Sequence, residues 1–278
     1  MRIAVIGLGL IGGSLAWDWT GAGHEVWGFS RTPETCAYAL AQGMISGSLN
    51  HLQELGEQGW DGVVVCTPIA DVLPTVAEVA PLVSASTLVT DVASVKGSLV
   101  RSATALCAGF VGGHPMAGTA GQGIRAAQRE LFRGAVYVVT PVPETQASGL
   151  ERLGILIGDL GAEVVRCDPD DHDQAVAAIS HGPVWLSAAL IATAREQGSL
   201  AQRLASSGFR DTSRVGGGNP ALGVGMARAN REAVVVQVRR YQAHLAQIQM
   251  WLEQEDWERL EDFLQQTHCA RRDFRSCG

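Results

Sequence analysis

Short apolar runs alternate with longer amphipathic stretches in the first 166 residues. The runs predict β-strands over residues 3–6, 25–29, 62–66, 87–90, 110–113, 137–139 and 163–166. Helical periodicity lies between many of them, over residues 33–42, 72–82 and 146–160. This alternation is typical of the α/β class and predicts a Rossmann-type, doubly wound and mostly parallel sheet with helices on both faces.

The pattern changes near Asp168, and no strand is predicted from residue 170 onward. Helical patterns cover residues 171–197, 220–254 and 257–266, and Pro183 is expected to kink or divide the first of them. We therefore predict a dinucleotide-binding domain over residues 1–166 and an all-helical domain over residues 167–278. The first helical pattern carries more apolar surface than a short bundle covers, which predicts a homodimer through this domain. These apolar positions are Ala175, Ala178, Ile179, Leu186, Ala189 and Leu190.

A glycine motif joins the first predicted strand to the first predicted helix. Gly7, Gly9 and Gly12 form Gly-x-Gly-x-x-Gly, with Leu8, Leu10 and Ile11 between them. In this context the first glycine permits a tight turn, the second lets a pyrophosphate approach, and the third allows close packing. The helix N-terminus adds free N–H groups for the phosphates. The alternative is a glycine-rich loop that serves helix packing alone.

The end of the second predicted strand indicates which dinucleotide is bound. An NAD site normally has Asp or Glu there, about 20 residues past the glycines, to accept bonds from the ribose hydroxyls. This chain has Ser30, Arg31 and Thr32 instead, whose donors and guanidinium suit a 2′-phosphate. We therefore predict NADP as the cofactor. The alternative is that Arg31 is a solvated loop residue.

Composition narrows the class of protein. The 278 residues carry a net charge of −7, which gives no support for nucleic-acid binding. We expect no run to be long and charge-free enough to span a membrane, and no basic leader with a cleavage site is predicted at the N-terminus. The six cysteines contain no Cys-x-x-Cys pair, so we expect reduced thiols, no metal and a cytoplasmic location.

Polar residues that follow strands are the candidates for chemistry, because ligands of open α/β sheets lie beyond the carboxyl ends of the strands. Cys66, Thr67 and Pro68 are predicted to line the nucleotide cleft, although a simple turn is an alternative. His114 is the candidate general base, since histidine titrates near neutrality. A purely structural histidine is the alternative.

The segment after the fourth predicted strand holds two further candidates. Ser94 is expected to orient a reacting hydroxyl or hold the nicotinamide; its alternative role is to cap a helix that starts at Val95. Lys96 is the only lysine in the chain. It is expected to be either a charge partner of the substrate or cofactor, or a surface lysine.

The helical domain offers an anion site. Arg210 and Arg214 lie one helical turn apart, and arginine binds carboxylates bidentately. The alternative is a structural ion pair of either arginine with Asp211. Ser180 and His181 are expected to face the cleft, with a buried structural histidine as the alternative.

Several of these segments together resemble the prephenate/arogenate dehydrogenases of tyrosine biosynthesis, nearly from end to end. The resemblance rests on residues 5–14, 91–96, 112–119, 171–183 and 209–220. It implies oxidative decarboxylation of a cyclohexadienol: hydride leaves the ring carbinol carbon for nicotinamide, CO₂ leaves the opposite carbon, and the ring aromatises. It also implies an all-helical dimerisation domain.

The resemblance assigns roles by position. His114 looks like the base on the ring hydroxyl, and Ser94 looks like its hydrogen-bond partner, which bridges hydroxyl and cofactor. Arg214 looks like the clamp on the ring carboxylate. Candidates for the remaining substrate contacts are Arg210, Gln122, Thr119, Lys96, His181 and residues of a partner subunit.

One position departs from the prephenate-type pattern, in which a second histidine often follows the proline of Ser-His-x-Pro. Here that residue is Val184. With the NADP-like strand end, this favours L-arogenate as substrate and L-tyrosine as product. Prephenate dehydrogenase activity and a non-catalytic NADP-binding protein are the alternatives. A β-hydroxyacid dehydrogenase is disfavoured, since residues 171–197 contain no lysine.

Overall fold

The computed structural model describes residues 1–274, and Cys277, one of the six cysteines, lies outside them. An eight-stranded sheet has the order β3-β2-β1-β4-β5-β6-β7-β8. Strands β1 to β6 are parallel, whereas β7 pairs antiparallel to β6 and parallel to β8. The strands are β1 Arg2–Ile6, β2 Glu25–Phe29, β3 Gly47–Ser48, β4 Gly62–Val65, β5 Leu88–Asp91, β6 Phe110–Pro115, β7 Val136–Thr140 and β8 Glu163–Arg166.

This arrangement confirms the doubly wound α/β prediction. The prediction missed only β3, a strand of two residues that is too short to give an alternating pattern. Helices cover both faces of the sheet: α1 and α5 pack in one apolar cluster, and α3 and α4 pack in the other. These helices, with α2, are α1 Leu10–Gly21, α2 Pro33–Ala41, α3 Ile69–Val79, α4 Gly97–Leu106 and α5 Ala147–Asp159.

Past residue 166 the described chain contains helices and no strand, as predicted. We call residues 1–166 the sheet region and residues 167–274 the helical region. The latter packs on the sheet region through contacts of α6 with α4 and of α10 with α3. Its helices are α6 Pro169–Val176, α7 Gly182–Glu196, α8 Gly198–Leu204, α9 Ser207–Ser213, α10 Pro220–Ala229, α11 Arg231–Glu253 and α12 Trp257–Arg271.

Two helix predictions need correction. The break in the first helical pattern is a π-helical turn at Ala177–His181, and Pro183 follows it as the second residue of α7; the backbone is helical on both sides, so the wider turn rather than a free helix start accommodates the proline. The single helix predicted over residues 220–254 is two helices, separated at Asn230 with φ −121° and ψ 38°. The side chain of Asn230 donates to the Asp173 carbonyl oxygen at 2.7 Å.

The apolar face predicted on the first helical pattern is exposed in the monomer. Ile179, Leu186 and Leu190 are 55%, 41% and 39% exposed. Because the backbone continues helically past Pro183, the run Pro169–Glu196 is long and apolar enough to cross a membrane by length and composition alone. This corrects the expectation that no run passes that test. Only 28% of its most apolar window is buried within the monomer.

Candidate active site

A cleft of about 1420 Å³ lies at the carboxyl ends of the parallel strands. The sheet region contributes the glycine turn, the loop after β2, the turn after β4, the loop before α4 and the segment after β6. The helical region contributes residues of α7, of α10 and of the loop between α9 and α10. The cleft therefore joins the two regions, as ligand sites of open α/β sheets commonly do.

Backbone geometry and packing require two of the three motif glycines, Gly7 and Gly12, and the third, Gly9, faces open space. Gly7 has φ +101°, and a Cβ there would lie 2.6 Å from the Cys66 carbonyl oxygen. A Cβ on Gly12 would lie 2.0 Å from the Gly7 carbonyl oxygen, so any side chain would separate helix from strand. A Cβ on Gly9 would meet nothing within 4 Å, which leaves space above the N-terminus of α1. This open cradle fits a dinucleotide pyrophosphate.

The loop after β2 forms one end of the cleft, where Ser30, Arg31 and Thr32 all line the wall. The Arg31 side chain is 83% exposed, and its nearest acidic partner is Asp71 at 3.8 Å. The Ser30 hydroxyl accepts from the Thr32 amide at 3.2 Å. No carboxylate follows the strand directly, and the acidic side chain near Arg31 comes from α3, where Asp71 also lines the cleft.

The turn after β4 lines the middle of the cleft with Cys66, Thr67 and Pro68. The Thr67 hydroxyl is buried and makes no hydrogen bond within the described chain. Burial raises the pKa of the Cys66 thiol, and nearby Asp91 adds to the shift, so this thiol stays protonated. Thr67 is therefore the polar group that this turn offers to a ligand.

Ser94 lines the cleft, and its hydroxyl is buried without a hydrogen-bond partner among the described residues. The alternative role as a helix cap does not apply, because α4 begins at Gly97 and its N-cap residue is Lys96. The carboxylate of Asp173 accepts from the backbone N–H of Lys96 at 2.7 Å and of Gly97 at 2.8 Å. The Ser94 hydroxyl is thus left available to a ligand.

His114 lies near the end of β6, where its buried ring lines the cleft. Its Nδ1 is 2.9 Å from Nε2 of His172. Burial, the positive charge of Lys96 and the neighbouring rings of His172 and His181 hold the pKa of His114 well below its usual value. The ring is therefore neutral near pH 7, which is the form that accepts a proton.

Sequence reasoning missed His172 and Asp173 as individual site residues. His172 is buried on α6, and its Nδ1 lies 2.9 Å from Oδ1 of Asp173. Although burial raises the pKa of Asp173, hydrogen bonds from His172, Lys96 and Gly97 outweigh it and hold the pKa below its usual value. The signal in the sequence was a histidine among the acids of residues 168–173, at the entry to the helical region.

Lys96 does not reach the cleft, which corrects both roles proposed for it. Its side chain is fully buried, and its ammonium donates to the Asp91 carboxylate. Asp91 also accepts from the backbone N–H groups of Ala93 at 3.0 Å and Gly113 at 3.2 Å. This buried pair ties the loop that carries Ser94 to the strand that carries His114.

His181 is fully buried and does not line the cleft, whereas its neighbour Ser180 does. The alternative of a structural histidine therefore fits its position. Its Nδ1 lies 3.2 Å from the side-chain nitrogen of Asn230, and its Nε2 is buried without a well-formed bond. Burial lowers the pKa of His181 to about 4, against an opposing effect of nearby Asp173.

The two arginines of the predicted anion site separate in the structure. Arg214 lines the cleft just after the end of α9. Arg210 does not line it; its exposed side chain pairs with Asp211 at 3.3 Å, which is the structural alternative. Thr119, Gln122 and Val184 line the cleft as well. Apart from Arg31, the cleft wall therefore offers one further guanidinium, together with neutral polar groups and apolar side chains.

Comparisons with known proteins agree with this geometry. The family model "Prephenate dehydrogenase, nucleotide-binding domain" matches residues 15–166, and "Prephenate dehydrogenase, dimerization domain" matches residues 168–266. A prephenate dehydrogenase of Bacillus subtilis (strain 168) is 32% identical over 267 residues, which cover 93% of this chain and 72% of that protein.

Two solved structures are similar over the whole fold. The arogenate dehydrogenase of Synechocystis is 45% identical with a TM-score of 0.86, over 98% of this chain and 99% of that one. The prephenate dehydrogenase of A. aeolicus, solved with hydroxyphenyl propionate and NAD⁺, is 25% identical with a TM-score of 0.92, over 98% of both chains.

Proposed function

The chain belongs to the prephenate dehydrogenase family of oxidoreductases, and from that premise we propose that it is an NADP-dependent arogenate dehydrogenase. It converts L-arogenate to L-tyrosine by oxidative decarboxylation. The observation that carries the proposal is the composition of the cleft at its two ends. One end has Ser30, Arg31 and Thr32 with no carboxylate at the strand end itself, although Asp71 lies 3.8 Å from Arg31, and the wall of the helical region includes Val184 and Arg214.

The glycine turn would hold the proposed cofactor, and Ser30, Arg31 and Thr32 would hold its 2′-phosphate. The bare Gly9 surface and the N-terminus of α1 accommodate the pyrophosphate. When bound, NADP⁺ supplies an acceptor for the hydride that leaves the ring carbinol carbon. Arg31 contributes a positive charge that discriminates between a phosphate and a hydroxyl at the ribose.

His114 removes the proton from the ring hydroxyl as the carbinol carbon is oxidised. Its neutral ring is ready to accept that proton, and burial keeps bulk water from competing for it. Ser94 orients the same hydroxyl through its otherwise unpartnered side chain. His114 lies on β6 and Ser94 lies in the loop that follows the adjacent strand β5, and the contacts of Asp91 with Lys96 and Gly113 hold that loop against β6.

Arg214 binds the ring carboxylate and orients it for departure as CO₂. Its guanidinium is the one arginine that the helical region brings to the described cleft wall. A bidentate contact with a carboxylate fixes both position and rotation of the ring. Decarboxylation with aromatisation makes the reaction effectively irreversible.

The substrate side chain distinguishes arogenate, which carries an ammonium group, from prephenate, which carries a keto group. Val184 cannot donate a hydrogen bond to a keto oxygen, whereas Thr119 and Gln122 offer acceptors for an ammonium group. The 45% identity with the Synechocystis arogenate dehydrogenase also supports this choice.

The active form is proposed to be a homodimer through the helical region. Its match to a dimerization-domain model and its exposed apolar side chains support this assembly. A second copy covering α7 would bury the face that carries Ile179, Leu186 and Leu190.

Steady-state assays with L-arogenate and prephenate, each with NADP⁺ and NAD⁺, test the proposal. The reduced nicotinamide is followed by its absorbance. We expect the largest kcat/KM with arogenate and NADP⁺. Preference for prephenate would overturn the Val184 argument, and preference for NAD⁺ would overturn the Arg31 argument. NADP binding without turnover in any combination would identify a binding protein instead.

A further inference from the structure

We propose that His172 and Asp173 are positioning residues that set the proton order of His114 and receive the positive charge formed when His114 accepts a proton. This inference rests on the proposed function, since it extends the role of the same base. Neither residue lines the cleft, so both would act through His114 rather than on the substrate.

Three side chains form a continuous hydrogen-bonded row that leads inward from the cleft. The Nδ1 of His114 lies 2.9 Å from the Nε2 of His172, and the Nδ1 of His172 lies 2.9 Å from the Asp173 carboxylate. The two rings meet edge to face, with centroids 5.1 Å apart. The inner end is fixed, because the same carboxylate also binds the backbone N–H groups of Lys96 and Gly97.

The carboxylate determines where each proton lies. An ionised carboxylate only accepts, so the Nδ1 of His172 must carry a proton and donate it to Asp173. In a neutral imidazole the other nitrogen is then an acceptor. The Nε2 of His172 accepts from the Nδ1 of His114, which leaves the lone pair of His114 on Nε2. That nitrogen has no partner among the described residues, and His114 lines the cleft.

The row also provides a better position for the positive charge that forms when His114 accepts a proton. His114 is surrounded by Lys96 from the loop before α4, His172 from α6 and His181 from the π-helical turn, and a positive charge on any of these three disfavours a charge on its ring. A proton taken up at Nε2 is therefore poorly accommodated on His114 itself. Asp173, from α6, is the carboxylate in the row, and it contacts His172 rather than His114.

The proposed step consists of two proton transfers, and each new N–H bond replaces a bond that breaks. The substrate O–H bond breaks as a new N–H bond forms at Nε2 of His114. The Nδ1–H bond of His114 then breaks, and that proton bonds to Nε2 of His172. The positive charge thus moves from beside Lys96 to beside Asp173. Returning the proton along the row, and releasing it from Nε2 of His114 to water, resets the site.

Two substitutions at His172 separate its two functions. His172→Asn leaves a side chain too short to reach His114, and we expect kcat to fall about 10- to 100-fold with little change in KM or in NADP affinity. His172→Gln reaches further and accepts from Nδ1 of His114, but it cannot take up a proton. We expect it to recover part, but not all, of the lost kcat.

The pH profile distinguishes this role from a packing role. Without His172 the charge has no better position than the buried ring of His114, so the acid limb of kcat/KM should move to lower pH by about one unit. His24→Asn is the matched control, because it removes a different histidine–aspartate pair, His24–Asp159 at 2.8 Å, outside the cleft. His24→Asn should leave the acid limb of kcat/KM at the same pH as in the wild type.

Nitrogen NMR of the wild-type histidines provides a test that needs no turnover and no stable variant at His172. We expect His114 to carry its proton on Nδ1 at neutral pH. A proton on Nε2 would overturn the proposal, as would an unchanged kcat and acid limb in a folded His172→Asn protein. If the wild type turns over neither substrate, the proposed function fails, and the NMR result alone decides the proton order.

Discussion

The sheet region and the helical region are built in opposite ways. In the sheet region the buried side chains are overwhelmingly apolar, and five large apolar residues are substantially exposed. In the helical region sixteen are exposed, while only four apolar side chains other than proline are buried among the described residues: Val176, Ala177, Met226 and Val234. The buried polar residues there number five: His172, His181, Ser187, Asn230 and Gln237.

This contrast follows from the work each region does. The sheet region encloses its own core and holds the cofactor cradle rigidly at the ends of its strands. The helical region buries polar groups at its centre and leaves large apolar groups exposed at its surface. In the proposals above, a second copy covers its apolar face, and His172 and Asp173 of its polar centre support the base His114. Substitutions in the two regions should therefore affect different properties of the protein.

His114→Asn should separate chemistry from cofactor binding most sharply. We expect kcat to fall about 100- to 10,000-fold, because general base catalysis is lost, while NADP affinity stays unchanged. Stopped-flow hydride transfer and equilibrium NADP binding measure the two effects. If turnover survives, His114 is not the general base.

Leu190→Glu tests the apolar exterior of the helical region. A charge on this 39% exposed position should raise the dimer dissociation constant at least about 100-fold, because the carboxylate would be buried in the interface. Analytical ultracentrifugation over a concentration series measures it. Ile155→Glu, on a 50% exposed apolar position of α5, is the control and should leave assembly unchanged. If both substitutions raised the dimer dissociation constant equally, the exposed apolar face of the helical region would not be the specific dimer interface.

Arg214→Lys tests the contribution of the helical region to substrate binding. Lysine keeps the charge but loses the bidentate fork, so kcat/KM for arogenate should fall about 10- to 100-fold. Arg210→Lys is the matched control, since Arg210 pairs with Asp211 outside the cleft. A larger loss at Arg210 would reverse the assignment of the two arginines.

The polar centre of the helical region should make the protein sensitive to acid. His181 is held neutral with a pKa of about 4, whereas an unfolded histidine titrates near 6.5. The unfolded state therefore binds more protons between these values, and stability falls as pH drops through 6.5 toward 4. This one group accounts for about 2 kcal/mol between pH 7.5 and pH 5.

Denaturant unfolding at both pH values measures that loss. His181→Gln should flatten the pH dependence, whatever it does to stability at pH 7.5. His268→Gln, at an exposed position of α12, controls for the removal of a histidine. An unchanged slope in His181→Gln would show that the acid sensitivity arises elsewhere.

Arg31→Ala tests the sheet region with the smallest expected effect. The side chain is exposed, so we expect KM for NADP⁺ to rise only about tenfold, with no change for NAD⁺. Arg133→Ala, which removes an exposed arginine paired with Glu130, is the control. Equal losses with both cofactors would mean that Arg31 does not contact the 2′-phosphate.

Sequence reasoning succeeded where local patterns determine structure. The alternation of apolar runs predicted seven of the eight strands, and the glycine spacing predicted the turn at Gly7 and the close packing at Gly12. It was weaker at the site, where the outcome depends on tertiary contacts. Nothing local to Lys96 shows that its side chain turns inward to Asp91, and nothing local to His172 shows that it meets His114 across 58 residues.

The stoichiometry of a single reaction tests the central claim most directly. Purified protein is incubated with L-arogenate and NADP⁺, and L-tyrosine, CO₂ and NADPH are quantified together. The account predicts equal amounts of all three, formed at a rate that His114→Asn abolishes. NADPH without CO₂, or no tyrosine from arogenate, would contradict oxidative decarboxylation of arogenate as the function of this cleft.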